Sequence, residues 1–103
     1  MFLALWEFDV KPGCDEPFES VYGPEGDWAQ LFRRDSAYQR TLLLRDPLRS
    51  HTYVTCDFWE SRKAYESFRQ NNLEAYLALD KICEELTVAE RKIGAFERLA
   101  DDK

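Results

Sequence analysis

The residues best suited to chemistry lie in the run Trp59-Glu60-Ser61-Arg62-Lys63-Ala64-Tyr65, entered from the alternating segment Tyr53 to Phe58. A tryptophan at a strand end and a tyrosine just inside the following helix can wall an aromatic pocket. Thr55, Asp57 and Trp59 share one strand parity, and Val54, Cys56 and Phe58 share the other. The apolar parity is expected to pack on helices, leaving the polar parity to face a pocket or a partner. Asp57 is then the candidate base, because a carboxylate in a partly apolar cleft has its pKa raised towards useful values. Trp59 would stack on a planar substrate and offer its indole N–H to an oxygen atom or peroxide. Tyr65 would donate to a developing oxyanion. Around this catalytic set, Thr55, Tyr53, Trp6, Arg40 and His51 are candidate substrate-binding residues, with Arg40 and His51 within reach of the same face. Structural roles compete with each assignment: Trp59 as an anchor, Tyr65 as a core tyrosine, Asp57 paired with Arg40 across strands, and His51 as an exposed turn residue. No metal motif, phosphate loop or nucleophile–base pair competes with this constellation.

The elements that must position these residues follow from periodicity. From Phe2 to Val10 one parity is wholly apolar, Phe2, Ala4, Trp6, Phe8 and Val10, so this segment reads as a strand. Lys11-Pro12-Gly13 ends it. Asp15 to Tyr22 is expected to be helical, since Pro17 falls in the first turn, where a missing N–H costs little, and Gly23-Pro24 stops it. Asp27 reopens a short helix with Trp28, Leu31 and Phe32 on one stripe. Tyr38 to Arg45 and about His51 to Phe58 form a hairpin across Asp46-Pro47-Leu48-Arg49-Ser50. Ser61 is a candidate N-cap for a helix carrying Ala64, Tyr65 and Phe68, Asn71-Asn72 marks a break, and Ala75 to Leu86 resumes helical spacing. Arg91 to Leu99 reads as the last strand and 100–103 as a frayed tail. Strand, helix, strand, strand, helix, strand is the ferredoxin-like βαββαβ arrangement, an α+β fold with an antiparallel sheet and helices on one face. Leu3, Leu5 and Tyr53 are expected on the other face. A second copy of the chain is the expected cover, giving a homodimer.

At 103 residues the chain has room for one core, so residues 1–99 are read as a single domain. A hydrophobic share of 45% and an aromatic share of 15% oppose disorder. A net charge of −6, without a basic stripe, opposes nucleic acid and anionic membranes as partners. The opening Met1 to Phe8 has no basic leader region and is interrupted by Glu7, so it reads as a strand of a cytoplasmic protein. Cys14, Cys56 and Cys83 are odd in number and widely spaced, which fits reduced thiols rather than a disulfide framework or zinc site; Cys56 and Cys83 fall at core spacings.

With this topology, the chain resembles the antibiotic biosynthesis monooxygenase domain family, on Phe8-Asp9-Val10-Lys11-Pro12-Gly13, the strand Tyr53 to Phe58, and Trp59-Glu60-Ser61 with Ala64-Tyr65. The resemblance covers nearly the whole length and implies a dimeric α+β barrel. It also implies, as one activity among several in the family, oxidation of a small planar aromatic of anthrone or hydroquinone type without metal or flavin. The family tryptophan and tyrosine match Trp59 and Tyr65. The strand asparagine of the best-matching branch is Thr55 here, and its helix arginine has no match, Leu79 standing at the nearest position with Lys81 close by. In the haem-degrading branch, Phe68 and Ala78 replace the helix tryptophan and the ligating histidine, and His51 at a strand start makes a poor axial ligand. A non-catalytic ligand-binding or dimerisation module on the same scaffold is the alternative.

Overall fold

The computed structural model describes residues 1–99, so the expected tail at 100–103 lies outside the described residues. Strand β1 (Phe2–Val10) leads through helices α1 (Asp15–Tyr22) and α2 (Asp27–Phe32) into β2 (Tyr38–Arg45) and β3 (Thr52–Trp59). Helices α3 (Arg62–Asn71) and α4 (Leu73–Cys83) then return the chain to β4 (Thr87–Glu97). The sheet order is β2-β3-β1-β4 and every pairing is antiparallel, which is the ferredoxin-like arrangement with each helical position divided in two. No described helix is long and apolar enough to cross a membrane.

Local chemistry explains the breaks. Gly26 separates α1 from α2 where a Cβ would stand 2.3 Å from the Val21 carbonyl oxygen, so only glycine allows the two helices to turn this tightly. Ser61 caps α3 as its position implies, its Oγ accepting from the Ala64 N–H at 3.1 Å. Asn72 is a single non-helical joint between α3 and α4, at φ −125° and ψ 27°, and its Nδ2 donates to the Phe68 carbonyl at 3.0 Å. β4 begins four residues before the sequence expectation, because Thr87 to Glu90 continue the ladder against Val10, Asp9 and Phe8. β3 is displaced by one residue, running from Thr52 and including Trp59.

The apolar parity of β1 packs under the helices, and its register with β3 decides which face β3 buries. Phe2, Ala4, Trp6 and Phe8 stand opposite Trp59, Asp57, Thr55 and Tyr53. The expectation for β3 is therefore reversed: Tyr53, Thr55, Asp57 and Trp59 face the helices, and Val54, Cys56 and Phe58 lie on the uncovered face. The register with β1 sets this choice, placing Trp59 opposite Phe2 and Tyr53 opposite Phe8 and bringing a hydroxyl and a carboxyl into the core with them. Tyr53, expected on the uncovered face, is buried instead, with its ring 4.9 Å from that of Phe18. Leu3 and Leu5 do lie on the uncovered face, beside Leu42, Phe58 and Phe96. Cys56 is buried there, whereas Cys83 belongs to the core under the helices.

Candidate functional site

Asp57 is nearly fully buried at the floor of a cavity between sheet and helices. Thr41 and Thr55, on the neighbouring strand and the same strand, share that floor, and the cavity, partly open to solvent, has a volume of about 40 Å³. Trp6 and Phe8 of β1, with Phe32 and Trp28 of α2, form aromatic walls. Tyr22, Tyr65 and Tyr76 bring three phenol rings from three helices, and Asp80 and Glu90 stand at the outer end.

A β-bulge sets the chemistry of the floor. Tyr38 pairs with Trp59, but the register slips before Arg40, which then stands opposite Phe58 while Thr41 stands opposite Asp57. The expected pairing of Arg40 with Asp57 is thus replaced. Arg40 projects to the uncovered face, its guanidinium 4.5 Å from the centre of the Phe58 ring. Asp57 instead accepts a hydrogen bond from Thr41 Oγ1 at 2.6 Å, and Thr41 Oγ1 lies 2.7 Å from the Tyr38 hydroxyl, which completes the relay by donating to it. Burial without a paired cation pushes the Asp57 carboxyl up to about 6, against the Thr41 hydrogen bond, which favours the ionised form. The carboxyl therefore sits near the range in which a general base works at neutral pH.

Of the residues expected from sequence, Asp57, Tyr65, Thr55 and Trp6 meet at this cavity. Burial raises the Tyr65 phenol above its ordinary range, opposed by Arg69 beside it. Trp59 does not line the cavity. It is fully enclosed among Phe32, Tyr38, Tyr65 and Phe68, with ring centres 5.1 to 5.4 Å away, so direct stacking on a ligand is unavailable in this arrangement. Its indole N–H is buried without a hydrogen-bond partner. Tyr53 and His51 form a separate cluster at one end of the sheet, where β3 begins. The Tyr53 hydroxyl lies 3.0 Å from Asp15 and 2.5 Å from Glu19, and His51 Nδ1 lies 2.7 Å from Asp15. Neither reaches Asp57, because β3 carries Tyr53 four residues away along the strand and His51 sits in the preceding turn with a positive φ of 68°.

Sequence reasoning missed Thr41, Tyr22, Trp28, Tyr76, Asp80 and Glu90 as lining residues. Tyr76 and Asp80 lie four residues apart on α4 and so share a helical face, a signal present in the sequence. Glu90 was lost with the late start assigned to the last strand. Among the described residues, no group of three or more histidine, cysteine or carboxylate ligands is placed to hold a metal ion.

No protein-family model and no curated protein matches the sequence. Solved structures do match. SnoaB, a cofactor-independent oxygenase from Streptomyces nogalater, superposes with a TM-score of 0.77 at 22% identity, over 97% of this chain and 94% of that one. A protein from Deinococcus radiodurans provisionally assigned as an antibiotic biosynthesis monooxygenase gives 0.78 at 12% identity, over 100% and 97% of the two chains. A third, of the same provisional assignment and from Nitrosomonas europaea, gives 0.66 at 13% identity, over 97% and 100%. One neighbour is thus a cofactor-independent oxygenase and two are provisionally assigned antibiotic biosynthesis monooxygenases, and at these identities the likeness establishes a shared fold.

Proposed function

We propose that this protein is a cofactor-independent monooxygenase acting on a small planar aromatic of anthrone or hydroquinone type. The observation that carries the reading is Asp57, a carboxyl poised near neutrality at the floor of an aromatic cavity, held by Thr41 and unpaired with any cation. Asp57 would take a proton from the activated carbon of the substrate. The resulting carbanion reduces molecular oxygen and bonds to it, and the peroxide, once protonated, loses water to leave a carbonyl. One oxygen atom enters the product and the other leaves as water. Tyr65, on the cavity wall, would donate to the oxyanion of the deprotonated substrate. Trp59 acts as a positioning residue, its ring packed behind those of Tyr65 and Tyr38.

The supporting scaffold in this reading is a cytoplasmic homodimer joined through the uncovered sheet faces. Leu44 and Phe96, 50% and 51% exposed, extend the apolar surface of Leu3 and Leu5 and give a second copy something to cover. Three unpaired cysteines fit a reducing compartment. A monomer by light scattering at micromolar concentration would remove the dimer.

A second reading, ligand binding without turnover, is favoured by Thr55 in place of an amide. The assay that separates them incubates the protein with a panel of anthrones and hydroquinones under ¹⁸O₂. Incorporation of one labelled oxygen, lost in Asp57→Asn, supports the oxygenase. Bound but unaltered compound supports the binding module. A Soret band on haem titration would instead recover a haem-degrading role, although no histidine lines the cavity.

A further inference from the structure

The charged side chains lining the cavity are all of one sign. Asp57 lies at the floor and Asp80 and Glu90 at the outer end, and no lysine or arginine joins them in the lining. The rest of the lining is two threonines and aromatic side chains, including Trp6, Trp28 and Tyr76. Trp28 and Tyr76 meet edge to face, with ring centres 4.9 Å apart.

The nearby cations stand outside the lining. Lys92 stands opposite Trp6 in the ladder but lines a different groove, between β4 and α3, with Arg62 and Glu66. Arg69 lies over the Tyr76 ring, 4.5 Å from its centre, and outside the lining. The electrostatic consequence is visible at the carboxyls and phenols. Burial raises Glu90, and the charges of Asp80 and Glu84 raise it further. Burial likewise raises the phenols of Tyr22 and Tyr76; Cys83 and then Glu90 add to the first, and at the second Tyr65, Asp80 and Asp57 add while the Arg69 charge opposes them.

Like charges gathered at an aromatic cavity are relieved by a cation, and aromatic faces attract the same charge through their quadrupoles. We infer that the cavity selects ligands carrying a positively charged amine or quaternary ammonium group, which Asp80 and Glu90 receive at the outer end while the aromatic rings hold the ligand's body. This rests on the preceding reading for the location of the site and narrows its substrates to cationic or aminated aromatics over carboxylated ones. The surroundings also explain the direction of selectivity: a carboxylate ligand would add a charge of the same sign to a site that holds three acids and no lining cation.

The test is calorimetric titration of the intact protein with three matched probes, 2-phenylethylammonium, 2-phenylethanol and phenylacetate, at low salt. The ammonium compound is expected to bind about tenfold tighter than the alcohol, the size of one cation–π contact together with partly exposed charge pairing, and phenylacetate weakest. In the double variant Asp80→Asn/Glu90→Gln the tenfold preference should fall to about two- to threefold, with the affinity for 2-phenylethanol unchanged. Phenylacetate binding as tightly as the ammonium compound overturns the inference, as does a preference that survives the double substitution, or no ammonium binding up to about 10 mM. The oxygenation assay reports separately. Cation selectivity with no oxygenated product sinks the oxygenase and leaves this inference standing, whereas equal oxidation of aminated and carboxylated hydroquinones does the reverse.

Discussion

The two faces of the sheet treat their acids in opposite ways. Under the helices, Asp57 meets a hydroxyl relay and aromatic rings, and burial raises its carboxyl to about 6 against the Thr41 hydrogen bond. On the uncovered face, Glu7 is hydrogen-bonded by Arg91 at 3.0 Å and by Arg49 at 2.7 Å, and Asp9 is paired with Arg91 at 3.0 Å. These guanidinium contacts hold both carboxyls below their ordinary range. The difference teaches where reactivity can reside in a small domain. An acid given a cation is settled as a charge; an acid given only a donor and a dry surrounding keeps a proton available for exchange.

The comparison breaks most visibly through the aromatic packing of the covered face. Trp59→Ala should cost about 3–5 kcal/mol in denaturant unfolding, because the fully enclosed indole leaves a cavity among four rings. Leu44→Ala, on the uncovered face, should change the stability of the single chain by no more than about 0.5 kcal/mol while weakening self-association in sedimentation. Equal losses at the two sites would show that the faces are not energetically distinct.

Asp57 sharpens the contrast through pH. Its folded value is raised from 3.8 to about 6, so below 3.8 folded and unfolded chains are both protonated and its favourable contribution is intact. As pH rises through about 6 the folded state must ionise a buried carboxyl, and about 3 kcal/mol of stability is lost. Asp57→Asn should flatten that slope in unfolding curves measured from pH 4 to 7. Thr41→Val removes the donor that favours the ionised form, so the pH at which turnover or unfolding reports Asp57 should move upward by about one unit. A downward move would mean that Thr41 is not the controlling contact.

The smallest effect has the opposite sign. Glu7 and Asp9 are lowered in the folded state, so their contribution is present above the ordinary carboxylate range and is lost as pH falls through the folded values. The pairs are exposed and screened, so Glu7→Gln should shift the acid unfolding midpoint only slightly, and added salt should erase the difference. If Glu7→Gln and Asp57→Asn tilted stability against pH in the same direction, the contrast between faces would fail.

Much of this architecture was legible in the sequence because it depends on period and punctuation. The bounds of the first strand, the capped start at Ser61 and the break at Asn71-Asn72 rest on local rules, and the structure reproduces them. The face of β3 was not legible, because both of its parities are apolar enough to be buried and the choice belongs to the register with β1. The bulge was equally hidden. Nothing local to Tyr38-Gln39-Arg40 announces an extra residue, yet it determines that Asp57 meets Thr41 and not Arg40. Asp57, Tyr65, Thr55 and Trp6 do line one cavity, Arg40 was drawn in by an alternation that the bulge breaks, and Tyr53 keeps the parity of Asp57 but, like His51, stands too far from it to share that cavity.

The joint at Asn72 gives the domain a separation of labour. Tyr76 and Asp80 reach the outer end of the cavity on α4, downstream of that single non-helical residue, whereas Asp57 and Thr41 are fixed by the strand ladder. A change at the joint re-aims the entrance while the floor keeps its register. Glu90, held by the β4 ladder opposite Phe8, stays in place as well, so a shift of the joint alters the spacing between Asp80 and Glu90 without rebuilding the strands beneath.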